Sequence, residues 1–218
     1  MGALCICFDV GLTNLAFCVC YIPRESTHAY VVAWNVLNTG LTKRTSEVPI
    51  VESISKHIDN IINMHVNPVI KNNYVDGIFA YVEKQPKYNV FKIVEAVLLT
   101  CLHEKLPPTS VVTNVASTIK LKNIFEKTLK DTYTKRKKMS VVLTKMLIEK
   151  GGDAALTQLF ESAKKKDDLS DSMLYISVIH DIKSISSFPV SGLLPQPEPP
   201  SVRRMSTESC SPPGSIDL

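Results

Sequence analysis

Three aspartates stand close together in Lys164-Lys165-Lys166-Asp167-Asp168-Leu169-Ser170-Asp171-Ser172-Met173-Leu174-Tyr175, where a basic block gives way to acid and then to an apolar run. Positions three and four apart share one face of a helix, so Asp171 sits beside both Asp168 and Asp167. Aspartates at a helix start commonly cap it, accepting orphan amide hydrogen bonds and complementing the dipole. Two further carboxylates give the group a second meaning. Asp9 lies within the apolar run at residues 3–10, and Glu83 closes another at 77–82. An unpaired charge at the end of a buried strand is costly. In a crossover sheet, strands one and four are often parallel neighbours, which would bring Asp9 and Glu83 to one edge. Carboxylates gathered there with Asp168 and Asp171 repel one another unless cations sit among them. Mg²⁺ suits such a set, because it takes carboxylate oxygens and keeps waters for chemistry. A pair of such ions about 3.5–4 Å apart stabilises both attacking and leaving oxygens in phosphodiester hydrolysis.

The elements that must position these residues follow from apolar periodicity. Residues 3–10 read as a strand buried on both faces, 11–14 as a turn, and 15–21 and 30–37 as two more strands of an antiparallel meander, the third holding the only tryptophan. Ile50, Ile54, Ile58, Ile61 and Ile62 predict a helix over 49–66. A fourth strand covers 77–83. A helix over 89–104 follows, with Ile93, Val94, Val97, Leu98 and Cys101 inward and Pro107-Pro108 beyond it. A fifth strand at 111–115 leads to a short basic helix with Ile119, Leu121, Ile124 and Phe125. Helices at 135–150, ended by Gly151-Gly152, at 154–163 and at 168–182 complete the pattern. The class is α/β, a mixed five-stranded sheet flanked by helices and joined by right-handed crossovers.

With 218 residues and 44% apolar content, the chain has room for one domain, expected over 1–183. Residues 184–218 read as a disordered Pro/Ser-rich tail, since 189–218 alone holds seven of the 13 prolines. No apolar run is long enough to span a membrane, and the first residues lack the features of a secretory signal or transit peptide, so an intracellular protein is expected. The net charge of +4 is modest, but Lys135-Arg136-Lys137-Lys138 and Lys164-Lys165-Lys166 concentrate it in two blocks suited to a polyanion. Cys5 and Cys7 alternate in one strand, and Cys18 and Cys20 in the next, so each pair points to one sheet face. Reduced core thiols are the expectation, with a zinc site from two C-x-C pairs as the alternative. Neither Cys101 nor Cys210 completes a disulfide framework.

Three of these stretches resemble motifs of one family. Phe8-Asp9-Val10-Gly11-Leu12-Thr13-Asn14-Leu15 resembles the first motif of the RuvC-type Holliday junction resolvases, and Val82-Glu83-Lys84-Gln85 their second. Lys165-Lys166-Asp167-Asp168-Leu169-Ser170-Asp171-Ser172 is similar to their last, most of all in the poxvirus-type resolvases of large DNA viruses. The resemblance covers residues 3–183. It implies an RNase H-like domain acting as a homodimeric endonuclease on four-way DNA junctions, with paired symmetric cuts. It also implies two Mg²⁺ ions per active site, Mn²⁺ substituting, held by Asp9, Glu83, Asp168 and Asp171, with Asp167 as cap or neighbour. A functional lysine is implied in the basic helix before the last motif; Lys138 fits best by spacing and Lys137 nearly as well. Lys135, Arg136, Lys137, Lys164, Lys165 and Lys166 are the expected DNA-binding cations. Three rivals accompany this reading, one of them a non-catalytic binding protein that retains the fold, against which the presence of every acidic position argues. Asp9-x-Gly11-x-Thr13-Asn14 also resembles the first phosphate loop of actin-like and sugar-kinase ATPases, although the sequence offers neither their second phosphate loop nor their adenosine motif. The same acidic set would equally serve a nuclease acting on flaps or RNA–DNA hybrids.

Overall fold

The computed structural model describes residues 2–73, 75–86, 89–119 and 133–189. Its organising element is β1 (Gly2–Asp9), hydrogen-bonded on one side to β2 (Asn14–Pro23) antiparallel and on the other to β4 (Gly77–Glu83) parallel. β3 (His28–Asn38) continues the meander and β5 (Val111–Val115) extends the parallel side. Gly11 allows the β1–β2 turn, since a Cβ there would lie 2.0 Å from the carbonyl oxygen of Asn14.

The sheet has six strands rather than the expected five. β6 (Ser184–Ser187) pairs parallel with the outer edge of β3, giving the order β5-β4-β1-β2-β3-β6. These four residues fall where the sequence suggested the start of the tail. Their pattern carries only one apolar side chain, Ile185, so period-two alternation could not reveal them. The pairing is fixed by side chains: both ring nitrogens of His28 lie 2.8 Å from a serine hydroxyl, Ser184 on one side and Ser186 on the other. Phe188 adds edge-on contacts to Tyr21 and Tyr30. The rest of the expected tail, from residue 190, lies outside the described residues, as do 120–132, which hold most of the expected short basic helix.

Strand alternation divides the core into two layers. Leu4, Ile6 and Phe8 face α1 (Glu47–Ile61) and α3 (Val90–Lys105). Cys5, Cys7, Cys18 and Cys20 face α4 (Tyr133–Gly151), α5 (Ala154–Ser162) and α6 (Lys166–Ile179). The helical run begun by α1 passes its expected end at 66, going through a π-helical turn (Ile62–Val66) into α2 (Asn67–Asn72). Pro68, near the start of α2, lacks an N–H and would crowd the carbonyl four residues back, and the wider turn relieves that conflict. Gly151, at the end of α4, lets β6 approach, because a Cβ would lie 1.8 Å from the Ile185 carbonyl oxygen.

The strand cysteines are core, all of them buried thiols. Burial, and secondarily the neighbouring thiols, push Cys5 and Cys18 well above the ordinary thiol range. Among the described residues no helix is long and apolar enough to cross a membrane.

Candidate active site

Asp9 and Glu83 meet because their strands are parallel neighbours. Phe8 stands opposite Val82 in the register, so the next residue on each strand is a carboxylate at the same end of the sheet. Alternation then fixes the face. Cys5 and Cys7 on β1, and Tyr81 on β4, belong to the layer under α4–α6, and Asp9 and Glu83 follow them at period two. Both are half-buried.

From above, α6 brings the other carboxylates. Ser170 and Ser172, two positions apart and so on different sides of the helix, are both fully buried, and α6 packs on β1 and β2. Each serine hydroxyl folds back onto its own helix, Ser170 to the Lys166 carbonyl at 2.6 Å and Ser172 to the Leu169 carbonyl at 2.8 Å. Trp34 of β3 anchors the first turn: its indole N–H donates to the Leu169 carbonyl oxygen at 3.0 Å and lies 3.2 Å from the Ser172 hydroxyl. Phe160 of α5 stacks on the same indole at 5.4 Å, the two rings nearly parallel. Asp171 is 5% exposed and lies one turn before Tyr175, which is fully buried. Burial, and after it the charges of Glu83 and then Asp9, push the Tyr175 hydroxyl far above the ordinary phenol range. Tyr175 therefore reports that Glu83, Asp9 and the inner face of α6 share one small volume.

The aspartates at the start of α6 do not cap it in the usual way, since the N-cap position is Lys165 and makes no side-chain cap bond. Instead Asp167 and Asp168 hold the ammonium of Lys137, at 2.7 Å and 2.9 Å. Burial alone would lower the Lys137 pKa, but hydrogen bonds to the two aspartates and their charges outweigh it and raise it well above the ordinary lysine value. Burial likewise opposes ionisation of Asp167, yet Lys137 and the first amides of α6 hold its carboxyl below the ordinary range.

Of the two candidate lysines, the structure brings Lys137, not Lys138, to the carboxylates; Lys138 points to solvent with Lys135 and Arg136. Lys164 and Lys165, in the other basic block, are exposed as well. Lys166 is committed elsewhere, to Glu161 at 3.0 Å, which also takes Lys145 at 2.8 Å.

Sequence reasoning passed over Trp34 and Tyr175 as parts of the site. The signal for Tyr175 was its place four residues after Asp171, on the same helix face; Trp34 gave none beyond being the lone tryptophan.

Among the described residues no three His, Cys, Asp or Glu side chains form a ready-made metal cage. Neither the strand cysteines nor any three of Asp9, Glu83, Asp168 and Asp171 form such a group. This is compatible with Mg²⁺, which is usually bound through one or two carboxylates with waters and substrate phosphates rather than by an all-protein cage. The donor chemistry fits a hard cation: hard carboxylate oxygens are gathered at one end of the sheet, and a lysine ammonium already serves two of the neighbouring ones.

No protein-family model matches the chain, and no curated protein matches it. Solved structures do. The fowlpox virus resolvase in complex with Holliday junction DNA superposes with a TM-score of 0.57 at 13% identity, over 82% of this chain and 97% of that one. The fowlpox virus Holliday junction resolvase alone gives 0.56 at 14% identity, over 82% and 99%. The yeast mitochondrial Holliday junction resolvase gives 0.54 at 14%, over 78% and 75%. The chain has the RNase H-like fold of the RuvC-type resolvases, as its three motifs led one to expect.

Proposed function

We propose that this chain is a divalent-metal-dependent endodeoxyribonuclease that resolves four-way DNA junctions as a homodimer. The observation that carries the reading is the volume around Tyr175, where Glu83 and Asp9 from the sheet meet the inner face of α6 in a resolvase fold. Asp9, Glu83, Asp168 and Asp171 would hold the ions, Mg²⁺ by preference and two per site. When bound, such ions supply Lewis-acid charge for hydrolysis of a phosphodiester.

The chain's own residues have separable tasks. Tyr175 keeps its proton and stays a neutral donor beside two carboxylates, steadying them without adding charge. Lys137 balances Asp167 and Asp168 and lies where a phosphate entering the cleft would meet a fixed cation. Lys135, Arg136, Lys138, Lys164 and Lys165 suit backbone phosphates on either side, so affinity should fall with salt and depend on shape more than base sequence. Resolution needs two symmetric cuts, and a two-fold dimer places two clefts on one junction. Such a substrate fits an intracellular setting. Support comes also from the fowlpox virus enzyme, whose structure was determined with Holliday junction DNA.

The test is a labelled four-way junction, its linear duplex and an RNA–DNA hybrid, each incubated with the protein in Mg²⁺ and in chelator. Paired nicks at symmetric positions, confined to the junction and lost in chelator, are expected. Preferential cutting of the hybrid would overturn the substrate, and undiminished cutting in chelator would overturn the metal.

A further inference from the structure

The charge that the proposed site leaves unexplained is Glu95. It lies in α3, on the opposite side of the sheet from α6, and its side chain is 1% exposed. Its helix otherwise buries Val94, Leu98, Cys101 and Leu102, so an apolar residue would fill the position at less desolvation cost. Three donors surround its carboxylate. The Gln85 backbone N–H donates to Oε2 at 2.7 Å, the Lys92 ammonium to Oε1 at 2.6 Å, and the Asn114 side-chain amide to Oε1 at 3.2 Å.

Those donors lie around the end of β4. Gln85 is two residues after Glu83, and its own side-chain amide donates back to the Glu83 carbonyl oxygen at 3.3 Å. Asn114 stands opposite Val82 in the β4–β5 register, and the Lys84 N–H donates to the Val115 carbonyl oxygen at 2.8 Å. The backbone leaving β4 is thus gripped from the α3 side just where the Glu83 side chain turns to the α6 side. We infer that Glu95 is a positioning residue: by holding the Glu83-Lys84-Gln85 backbone it fixes the Glu83 carboxylate for a divalent cation. This rests on the reading of Glu83 as a metal-holding residue.

The test uses the full chain and reads Mn²⁺ binding by calorimetry without DNA, beside hydrogen exchange at the Lys84 and Gln85 amides. Glu95→Ala should speed exchange there and weaken Mn²⁺ binding about tenfold, the low end for loss of an outer partner of a metal site. The Mg²⁺ concentration for half-maximal junction cleavage should rise by the same factor, with junction affinity in chelator unchanged. Glu95→Gln keeps a neutral acceptor for the Gln85 N–H and should lose only about threefold, since charge-assisted bonds are the stronger kind. In a Glu83→Gln background, Glu95→Ala should add no further loss, because both act through one carboxylate.

Wild-type Mn²⁺ affinity in Glu95→Ala, with only a lower melting temperature, would reduce Glu95 to a structural role and overturn the inference. If Glu95→Ala does not fold, wild-type affinity in Glu95→Gln overturns it equally. Unchanged Mn²⁺ affinity in Glu83→Gln alone would overturn the site reading first, and this inference with it.

Discussion

Replacing Lys137 by Met keeps most of the side-chain volume and removes one ammonium, so its effect can be worked from the two ion pairs. Each hydrogen bond to a charged partner contributes about 1.5–3 kcal/mol net in a protein interior. The pair with Asp168 is well sheltered, with side chains 22% and 16% exposed, whereas Asp167 is 34% exposed and can turn to water. Counting the first in full and discounting the second for solvent screening, the loss is about 2 kcal/mol. For a domain of this size that lowers the melting temperature by about 4–8 °C.

The pH dependence has a definite sign. Lys137 has a raised pKa, so its contribution is fully present below the unfolded lysine value of about 10.4 and is lost only as pH climbs through the higher folded value. Asp167 has a lowered pKa, so its contribution is present above the unfolded value of about 3.9 and is lost as pH falls through the folded one. The melting gap between wild type and Lys137→Met should therefore stay flat from neutral pH to mild alkali and narrow below about pH 4. Calorimetric melts of wild type, Lys137→Met and Lys138→Met across that range decide it. Lys138 is exposed, and Lys138→Met should fall within about 0.5 kcal/mol of wild type. A larger loss in Lys138→Met than in Lys137→Met, or a gap that persists undiminished at pH 3, would refute the reasoning.

Asp9→Asn and Asp168→Asn should abolish junction cleavage while gel-shift affinity persists, because each removes a proposed metal-holding charge and no phosphate contact. A chain ending after Pro189 should melt like the full protein, whereas one ending at Lys183 loses β6 and the Phe188 contacts and should melt many degrees lower. Asp153 caps α5 through the Leu156 N–H at 2.9 Å and also accepts the Ser187 N–H at 2.6 Å, so Asp153→Ala should cost about 1–2 kcal/mol by chemical denaturation. Trp34→Phe loses the indole donor to the start of α6 and should lower turnover more than junction affinity, measured as cleavage rate beside binding.

What the sequence disclosed and what it hid have physical causes. The long apolar runs made β1, β2 and β4 legible, and with them the meeting of Asp9 and Glu83. The choice between Lys137 and Lys138 was not legible, because neighbours on a helix point 100° apart and only the helix phase separates them. That phase is set by a buried stripe of Ser140, Thr144 and Ile148, two of them polar, so hydrophobic periodicity could not report it. Lys137 sits three residues before Ser140, on the inner face. Glu95 was hidden for the opposite reason: a charge inside a helix normally signals its wet face, and here it marks a buried grip on a strand end. β6 escaped because its pairing relies on a histidine and two serines rather than on apolar alternation.

The order in which the chain delivers its carboxylates has a consequence during synthesis. Asp9 and Glu83 belong to the first 83 residues, but Asp168 and Asp171 arrive on α6, and the sheet is closed at its β3 edge only by β6. A ribosome that has released everything through β5 has built half of the acidic cluster and none of the helix that completes it. Under the proposed site, chains truncated by stalling or proteolysis anywhere before Asp171 would lack part of the metal-holding set. A nuclease of the proposed kind would in this way be kept inert until nearly the whole domain exists.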